Sequence, residues 1–263
     1  MNATASAASL AVRLAGGETV FTAWSTLPDA LTVEALAATA MDAVTLDMQH
    51  GGHHEDSVLR GLAPVIAAAK PGLVRIPVGR FDMASRALDF GAQAVIAPMV
   101  NTLDDARAFA TAMKYPPLGL RSWGPSFAMP RLGAGDANGW LHEANARTLA
   151  FAMVETREAL AIVDDILAVA GIDGVFVGPA DFSIAWSGGR TVDPSLPAMM
   201  DAIGHIAARA AAAGKHAGIY VVDPGLVGRY VGMGFRLIAL GGESRYIALG
   251  AASLLEAARA SVK

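Results

Sequence analysis

Two acidic residues, Glu155 and Asp181, have the side chains and the positions expected of ligands to a divalent cation. Glu155 follows the apolar run 149–154, and Asp181 follows the apolar segment 174–180. Each lies where a strand pattern ends and a helical pattern begins, which is where parallel α/β enzymes hold their reacting groups. Two carboxylates from neighbouring strands would bind a hard cation. The alternative is that both residues only cap the helices that follow, since acidic side chains accept hydrogen bonds from free helix N–H groups.

His50 is the candidate base, because it follows the second apolar run in the segment 47–51. Histidine exchanges a proton near neutral pH, and a nearby carboxylate such as Asp47 can orient the ring and raise its basicity. His53 and His54 come next in the chain, so a histidine metal site is an alternative. Loop histidines without a second pair of ligands are, however, more often solvated.

Arg75 lies inside the third apolar run, 73–77. A lone buried guanidinium is very costly, so this side chain must point into a polar cavity or be paired. We interpret Arg75 as a group that stabilises a developing oxyanion. The alternative is a structural ion pair inside the fold.

Two turns are candidate anion sites. The turn 178–183 has free N–H groups at a helix start that would bind a carboxylate, so with Glu155 and Asp181 it would hold a metal and a carboxylated substrate side by side. The turn 241–243 is a weaker candidate, for a phosphate. The four lysines do not lie at the carboxyl ends of strand patterns, so no Schiff-base lysine is expected.

The elements that must position these residues alternate between strand and helix. Short apolar runs recur, each followed by a longer alanine-rich helical pattern, which predicts a parallel sheet with crossover helices. Eight strand patterns in 263 residues predict one closed (β/α)8 TIM barrel, with 1–16 as an N-terminal extension and 17–263 as the barrel domain. The predicted strands are 19–24, 43–47, 73–77, 94–98, 149–155, 174–177, 216–222 and 236–240.

Two segments depart from this alternation of strand and helix patterns. The segment 115–147 has many glycines and prolines, and we predict a long loop that covers the active site at the C-terminal face of the barrel. The segment 246–262 is predicted to be a helix whose apolar arc, with Leu254 and Leu255, is wider than one barrel contact requires. We expect this helix to pack against a second subunit. The alternative is that it closes its own barrel as the eighth helix.

Composition limits the partners and the compartment. The formal net charge of -4 and the lack of a basic run favour neither nucleic acid nor an anionic membrane, so we expect a small-molecule ligand. Hydrophobic residues make up 54% of the chain and charged residues 17%, which indicates subunit contacts as well as a core, and therefore a homo-oligomer. The chain has no cysteine, and its first 15 residues do not resemble a signal peptide, so we expect a cytoplasmic protein.

Taken together, the motifs resemble the HpcH/HpaI aldolase family, the metal-dependent class II pyruvate aldolases of the 4-hydroxy-2-oxoheptanedioate aldolase type. The resemblance runs from about Gly17 to the C-terminus. It is carried by five motifs in this order: Asp47-x-Gln49-His50-Gly51, Arg75-Ile76-Pro77, Pro116-Pro117-x-Gly119-x-Arg121-Ser122-x-Gly124-Pro125, Val154-Glu155-Thr156 and Gly178-Pro179-Ala180-Asp181.

The resemblance implies how substrate and metal are held. Glu155 and Asp181 would ligate Mg²⁺, Mn²⁺ or Co²⁺, and a 2-oxo acid would chelate the metal through its carboxylate and its C2 carbonyl. Gly178 and Ala180 would donate backbone N–H groups to that carboxylate. The family often has a substrate-binding glutamine two residues before the metal glutamate, but Met153 occupies that position here.

The resemblance also implies catalytic roles and an assembly. Arg75 would stabilise the enolate, and His50 would move the proton of the C4 hydroxyl. Asp89 matches a family aspartate that raises the basicity of the histidine, although from the sequence alone Asp47 is an equally good partner. Members of the family form hexamers, with active sites near subunit contacts and the C-terminal region exchanged between subunits.

The sequence therefore predicts a carbon–carbon lyase that reversibly cleaves 4-hydroxy-2-oxo acids to pyruvate or hydroxypyruvate and an aldehyde. One alternative is an acyl-CoA lyase of the malyl-CoA or citryl-CoA type. Such an enzyme would require a basic groove for the CoA group, and the sequence does not indicate one. Another is a non-catalytic protein that binds a metal and an oxo acid.

Overall fold

The computed structural model describes residues 9–262, and in this part of the chain eight parallel strands close into one barrel in sequence order. Most of the strand residues are fully buried and apolar, as expected of parallel strands covered on both faces. The (β/α)8 prediction is confirmed, and strand ends differ from the predicted ones by at most two residues. The strands are β1 Val20–Ser25, β2 Ala43–Asp47, β3 Gly72–Arg75, β4 Ala94–Ala97, β5 Leu149–Val154, β6 Gly174–Val177, β7 His216–Val221 and β8 Leu237–Gly242.

Helices surround the barrel and return the chain from the end of each strand to the start of the next. The helices are α1 Leu10–Ala15, α2 Ala30–Ala37, α3 Glu55–Ala67, α4 Asp82–Phe90, α5 Leu103–Met113, α6 Ala128–Arg131, α7 Ala137–Arg147, α8 Arg157–Ala161, α9 Val163–Ala168, α10 Pro179–Ser187, α11 Met200–Ala212, α12 Val227–Met233 and α13 Glu243–Ser261. None of them, within residues 9–262, combines the length and the apolar character needed to cross a bilayer.

The predicted N-terminal extension contains α1, and residues 1–8 lie outside the described residues. Leu10 and Leu14 are buried in the same cluster as the barrel-interior residues at the strand starts. The Leu10 N–H also donates to Gln93 Oε1, just before β4. This helix therefore covers the N-terminal end of the barrel, opposite the end where the candidate site residues lie.

The segment 115–147 does not cover the chain's own active site, which corrects the prediction. It connects α5 to β5, and an αβ connection lies at the N-terminal face. Lys114, at its start, donates from Nζ to Thr148 O (2.6 Å) and pairs with Asp173 (2.7 Å), just before β5 and β6 begin. The segment also contains α6 and α7, because the Asp136 carboxylate caps α7 and one face of that helix is buried.

The C-terminal helix α13 is present, but it does not pack as the eighth helix of its own barrel. From Ile247 to Val262 its residues are exposed, including Leu254 (75%) and Leu255 (50%). An apolar helix face of this extent is uncommon on a monomer. The alternative that α13 simply closes its own barrel does not fit this geometry.

Candidate active site

Asp47 and Arg75 form an ion pair at the carboxyl ends of β2 and β3, where the sheet register places them side by side. Arg75 donates from Nε to Oδ1 (2.8 Å) and from Nη2 to Oδ2 (2.6 Å), which is the bidentate geometry. Trp24 Nε1 donates to Asp47 Oδ2 (3.2 Å), and the guanidinium lies 4.9 Å from the centre of the Trp24 ring. Burial alone would raise the pKa of Asp47, but its bonds to Arg75 keep it below the usual value.

Glu155, directly after β5, has one satisfied and one unsatisfied carboxylate oxygen. Its Oε1 accepts a hydrogen bond from Met99 N (2.8 Å), and Met99 adopts a left-handed backbone (φ 53°) that is uncommon for a residue other than glycine. Its Oε2 is buried and has no hydrogen-bond partner among the described residues. Burial raises the pKa of Glu155 to about 7; the charge of Asp181 acts in the same direction, and the charge of Arg75 opposes it.

The backbone of the turn after β6 packs closely against this oxygen. Gly178 precedes α10, and Pro179 at the first helical position favours the start of that helix. A Cβ on residue 178 would lie 2.5 Å from Glu155 Oε2 and 2.9 Å from Met153 Cε, so this position requires glycine. Asp181 lies in the first turn of α10. The turn therefore provides free helix N–H groups and a second carboxylate next to Glu155.

These residues fit a divalent cation. Glu155 Oε2 is a buried acceptor that a cation would satisfy, and a cation would also hold the carboxylate ionised despite its raised pKa. Within residues 9–262 no group of three or more His, Cys, Asp or Glu side chains is placed to hold a metal. The pair Glu155 and Asp181 would therefore leave several coordination positions for water and substrate, as Mg²⁺ sites commonly do.

His50 is exposed in the loop after β2. Among the described residues no hydrogen bond joins its ring to Asp47 or Asp89, and Asp47 Oδ1 instead accepts from the backbone N–H groups of Gln49 (3.0 Å) and His50 (3.4 Å). The prediction that Asp47 orients the His50 ring is therefore wrong in this chain, because both Asp47 oxygens are used by Arg75, Trp24 and the loop backbone.

His53 does not lie with His50 at the site. It is buried, with Nε2 2.9 Å from Ser25 Oγ and Nδ1 3.1 Å from Ser57 Oγ. Burial lowers its pKa, so it is held neutral between the two serines. A histidine metal site has no support from this arrangement.

Asp89 lies near the carboxyl end of α4, just before β4, and thus at the N-terminal face of the barrel. It accepts a hydrogen bond from Arg121 Nη2 (2.8 Å), and both side chains are buried. Burial raises the pKa of Asp89 in spite of this partner. His50 is at the opposite face, so Asp89 cannot orient His50 of the same chain.

The turn 241–243 does not form a phosphate site. The Glu243 carboxylate is itself buried there, where it accepts the backbone N–H groups of Thr26 (2.8 Å) and Leu27 (3.3 Å), so the turn already holds a negative charge that would repel a phosphate. Trp24, which contacts both members of the Asp47–Arg75 pair, was not among the predicted site residues. Its position near the end of the first strand pattern was the available signal.

Comparison with known proteins gives a consistent result. The model of the HpcH/HpaI aldolase/citrate lyase family matches residues 20–248. The chain is 37% identical over 244 residues to a hydroxypyruvate/pyruvate aldolase of Rhizorhabdus wittichii (93% of this chain, 96% of that protein). It is 33% identical over 237 residues to a 4-hydroxy-2-oxo-heptane-1,7-dioate aldolase of Salmonella arizonae (88% and 87%). Among solved structures, an HpcH/HpaI aldolase/citrate lyase family protein of Burkholderia cenocepacia superposes with a TM-score of 0.83 at 29% identity, covering 95% of this chain and 99% of that one.

Proposed function

This chain belongs to the HpcH/HpaI aldolase/citrate lyase family, and from that membership we propose that it is a class II aldolase. The reaction is reversible cleavage of a 4-hydroxy-2-oxo acid to pyruvate or hydroxypyruvate and an aldehyde. One observation carries the proposal: the Arg75–Asp47 pair and the unsatisfied oxygen of Glu155 lie at the same end of the barrel, close enough for the charge of Arg75 to act on Glu155.

In this proposal Glu155 and Asp181 hold Mg²⁺, Mn²⁺ or Co²⁺. When bound, the cation would act as a Lewis acid toward the carbonyl of the 2-oxo acid. Gly178 and Ala180 donate backbone N–H groups to the substrate carboxylate. Glycine at 178 lets the turn pack against Glu155 Oε2, where any Cβ would clash with that oxygen.

Arg75 stabilises the enolate oxygen that develops as the bond between C3 and C4 breaks. Its Nε and Nη2 donate to Asp47, and Nη1 has no acceptor among the described residues, so Nη1 remains for the substrate. Because Asp47 also bonds Trp24 and the loop backbone, it fixes the plane of the guanidinium before substrate binds. Such preorganisation is the main source of electrostatic stabilisation of a transition state.

His50 takes the proton of the C4 hydroxyl, the electrons of the C3–C4 bond pass to the enolate, and the aldehyde leaves. A proton from water then adds to C3 of the enolate to give the 2-oxo acid, and His50 releases its proton to water. In the synthetic direction His50 returns the proton to the new alkoxide. The exposed position of the ring, in the loop directly after β2, lets it reach a substrate that enters from the C-terminal face.

We further propose that the protein is a homo-oligomer, and a hexamer by the resemblance. Apart from the exposed face of α13, the segment between α5 and α6 also presents large apolar side chains: Leu118, Leu120, Trp123 and Phe127. Asp89 and Arg121 lie beneath this surface at the N-terminal face. If Asp89 assists a His50, that histidine belongs to another subunit.

A screen of 2-oxo acids against aldehydes, with detection of the aldol product, tests the function. EDTA should abolish turnover, and added Mn²⁺, Co²⁺ or Mg²⁺ should restore it. Borohydride added with pyruvate should leave the protein mass unchanged, whereas a pyruvyl-lysine adduct would contradict the metal mechanism. Metal binding without turnover of any pair would favour a non-catalytic binder, and cleavage only of acyl-CoA substrates would favour the acyl-CoA lyase.

A further inference from the structure

Glu243 is a buried carboxylate at the first residue of α13, with 2% of its surface exposed. Its oxygens accept hydrogen bonds from three donors of the loop after β1. The distances are 2.8 and 2.9 Å from Thr26 N, 2.9 Å from Thr26 Oγ1 and 3.3 Å from Leu27 N. Glu243 therefore fixes the loop after β1 to the start of the C-terminal helix.

The other side of that loop contacts the loop of His50. Thr26 O accepts a hydrogen bond from Gly52 N (2.8 Å), and Ser25 Oγ lies 2.9 Å from His53 Nε2. A Cβ on Gly51 would lie 3.0 Å from Thr26 Cα and 2.4 Å from Asp47 O, so the two loops are packed without spare space. Residues 25–27 thus lie between Glu243 and the loop that carries His50.

The negative charge of Glu243 suits this role. Its burial would raise the pKa, but the Ser25 hydroxyl and the backbone N–H groups of Thr26 and Leu27 lower it below the usual value. An ionised carboxylate only accepts hydrogen bonds, whereas a glutamine would turn an NH₂ group toward one of these donors. Replacing the acid by its amide would therefore leave a buried donor unsatisfied.

We propose that Glu243 is a positioning residue. It couples the docking of the exposed face of α13 on another copy of this chain to the conformation of the His50 loop, through Ser25 and Thr26. Proton transfer at His50 then depends on how α13 docks, because Glu243 is the first residue of that helix. This inference rests on the proposed role of His50.

The test compares Glu243→Gln with wild type in the full chain, and uses Glu34→Gln, an exposed acid on α2 away from the C-terminal helix, as the control. Glu243→Gln should lower kcat by at least about tenfold. This loss should be smaller than the ~10²–10⁴-fold loss expected when a general base is removed. The KM for the 2-oxo acid and the affinity for Mn²⁺ should stay close to wild type. Hydrogen exchange of the Gly52 amide should become faster, and Glu34→Gln should change neither kcat nor this exchange rate.

Ser25→Ala is the second variant, because it removes the group between Glu243 and His53 with a small change in volume and is informative if Glu243→Gln does not fold. It should also lower kcat and speed exchange at Gly52. Wild-type kcat and unchanged Gly52 exchange in a folded variant would overturn the coupling. A parallel loss of kcat, substrate affinity and metal affinity would show a merely structural role. The absence of metal-dependent turnover in wild type would instead refute the proposed function, while Gly52 exchange would still report on the coupling.

Discussion

The carboxylate of Asp47 holds the guanidinium of Arg75 through two hydrogen bonds of 2.8 and 2.6 Å between adjacent strand ends. Both side chains are largely buried, with 1% and 11% of their surfaces exposed. Breaking a buried pair by removing one partner is much more costly than breaking a surface pair. The geometry of Arg75 therefore depends on Asp47, whose predicted role was to orient His50.

The first prediction concerns this pair. Arg75→Lys should be severely impaired in kcat, because an ammonium cannot present the planar fork that Asp47 holds. Asp47→Asn should also lower kcat, since an amide can accept only one of the two guanidinium bonds. Arg80→Lys, at an exposed arginine that pairs with Asp82, should leave kcat unchanged. Steady-state kinetics at saturating 2-oxo acid measure kcat for the three variants. A near-wild-type kcat in Arg75→Lys would refute the role of Arg75 in stabilising the enolate oxygen.

The second prediction concerns the pH dependence of stability without metal. Burial raises the pKa of Glu155 from 4.5 to about 7, so the folded state binds its proton more tightly than the unfolded chain does. The resulting stabilisation is complete below pH 4.5 and is lost as the pH rises through about 7. At ~1.4 kcal/mol per pKa unit, the free energy of unfolding should fall by about 3 kcal/mol over this range.

Urea unfolding in EDTA at several pH values measures this change. Glu155→Gln should remove the slope between pH 4.5 and 7, whereas Glu158→Gln, an exposed neighbour, should keep it. Because a bound cation requires the ionised carboxylate, the affinity of wild type for Mn²⁺ should rise with pH up to about 7. A wild-type slope that persists in Glu155→Gln would assign the titration to another group.

The third prediction separates proton transfer from metal binding. His50→Ala should lose roughly 10² to 10⁴ in kcat, the usual contribution of general acid–base catalysis. Its affinity for Mn²⁺ should barely change, because the ring lies outside the Glu155–Asp181 pair. His205→Ala, at an exposed histidine on α11, is the control. A His50→Ala variant that no longer binds metal would make His50 a ligand.

The barrel was predictable because strand periodicity is a local signal, and β2 and β6 have the predicted bounds. The grouping of Arg75, Glu155 and the 178–181 turn followed from the rule that strand ends of a barrel meet at one face. The partner of Asp47 was not predictable. The sequence places both Arg75 and His50 at strand ends next to Asp47, and it does not show which of the two side chains the carboxylate contacts. The fully buried Glu243 was mistaken for part of an anion site because burial depends on the loop after β1, which is more than 200 residues away in the chain.

The face on which the segment 115–147 lies could have been deduced from the sequence. The predicted helix 103–113 had already returned the chain to the N-terminal face, so the following segment had to lie there. Asp89 could have been placed by the same argument, as it precedes β4 by a few residues. Topology thus rules out a contact between Asp89 and His50 within one chain and makes any such contact a property of the assembly.

The fourth prediction concerns assembly. Leu254 and Leu255 are exposed on α13, and burying one leucine is worth about 1.5–3 kcal/mol, so their burial would support a stable interface. Light scattering after size exclusion should show an oligomer, and a species of 27.0 kDa at micromolar concentration would rule one out. Leu254→Asp combined with Leu255→Asp should give smaller, less active species. Val192→Asp, at an exposed loop position, should keep the full assembly. Retention of the full assembly in the double variant would place the interface elsewhere.

The fifth prediction is that Asp89 acts on a His50 of another subunit. His50→Ala and Asp89→Asn should each be impaired when expressed alone, but co-expressed they should regain part of the wild-type activity. Some sites in the mixed oligomer would then combine an intact His50 from one subunit with an intact Asp89 from another.

Co-expression of His50→Ala with Arg75→Lys is the matched control, because both residues lie at the C-terminal face of the same barrel and no mixed site can contain both intact. Purified mixed oligomers, selected through two different affinity tags, give the measurement. Equal activity of the two mixtures would show that Asp89 acts only within its own subunit, where the Arg121 contact gives it a structural role.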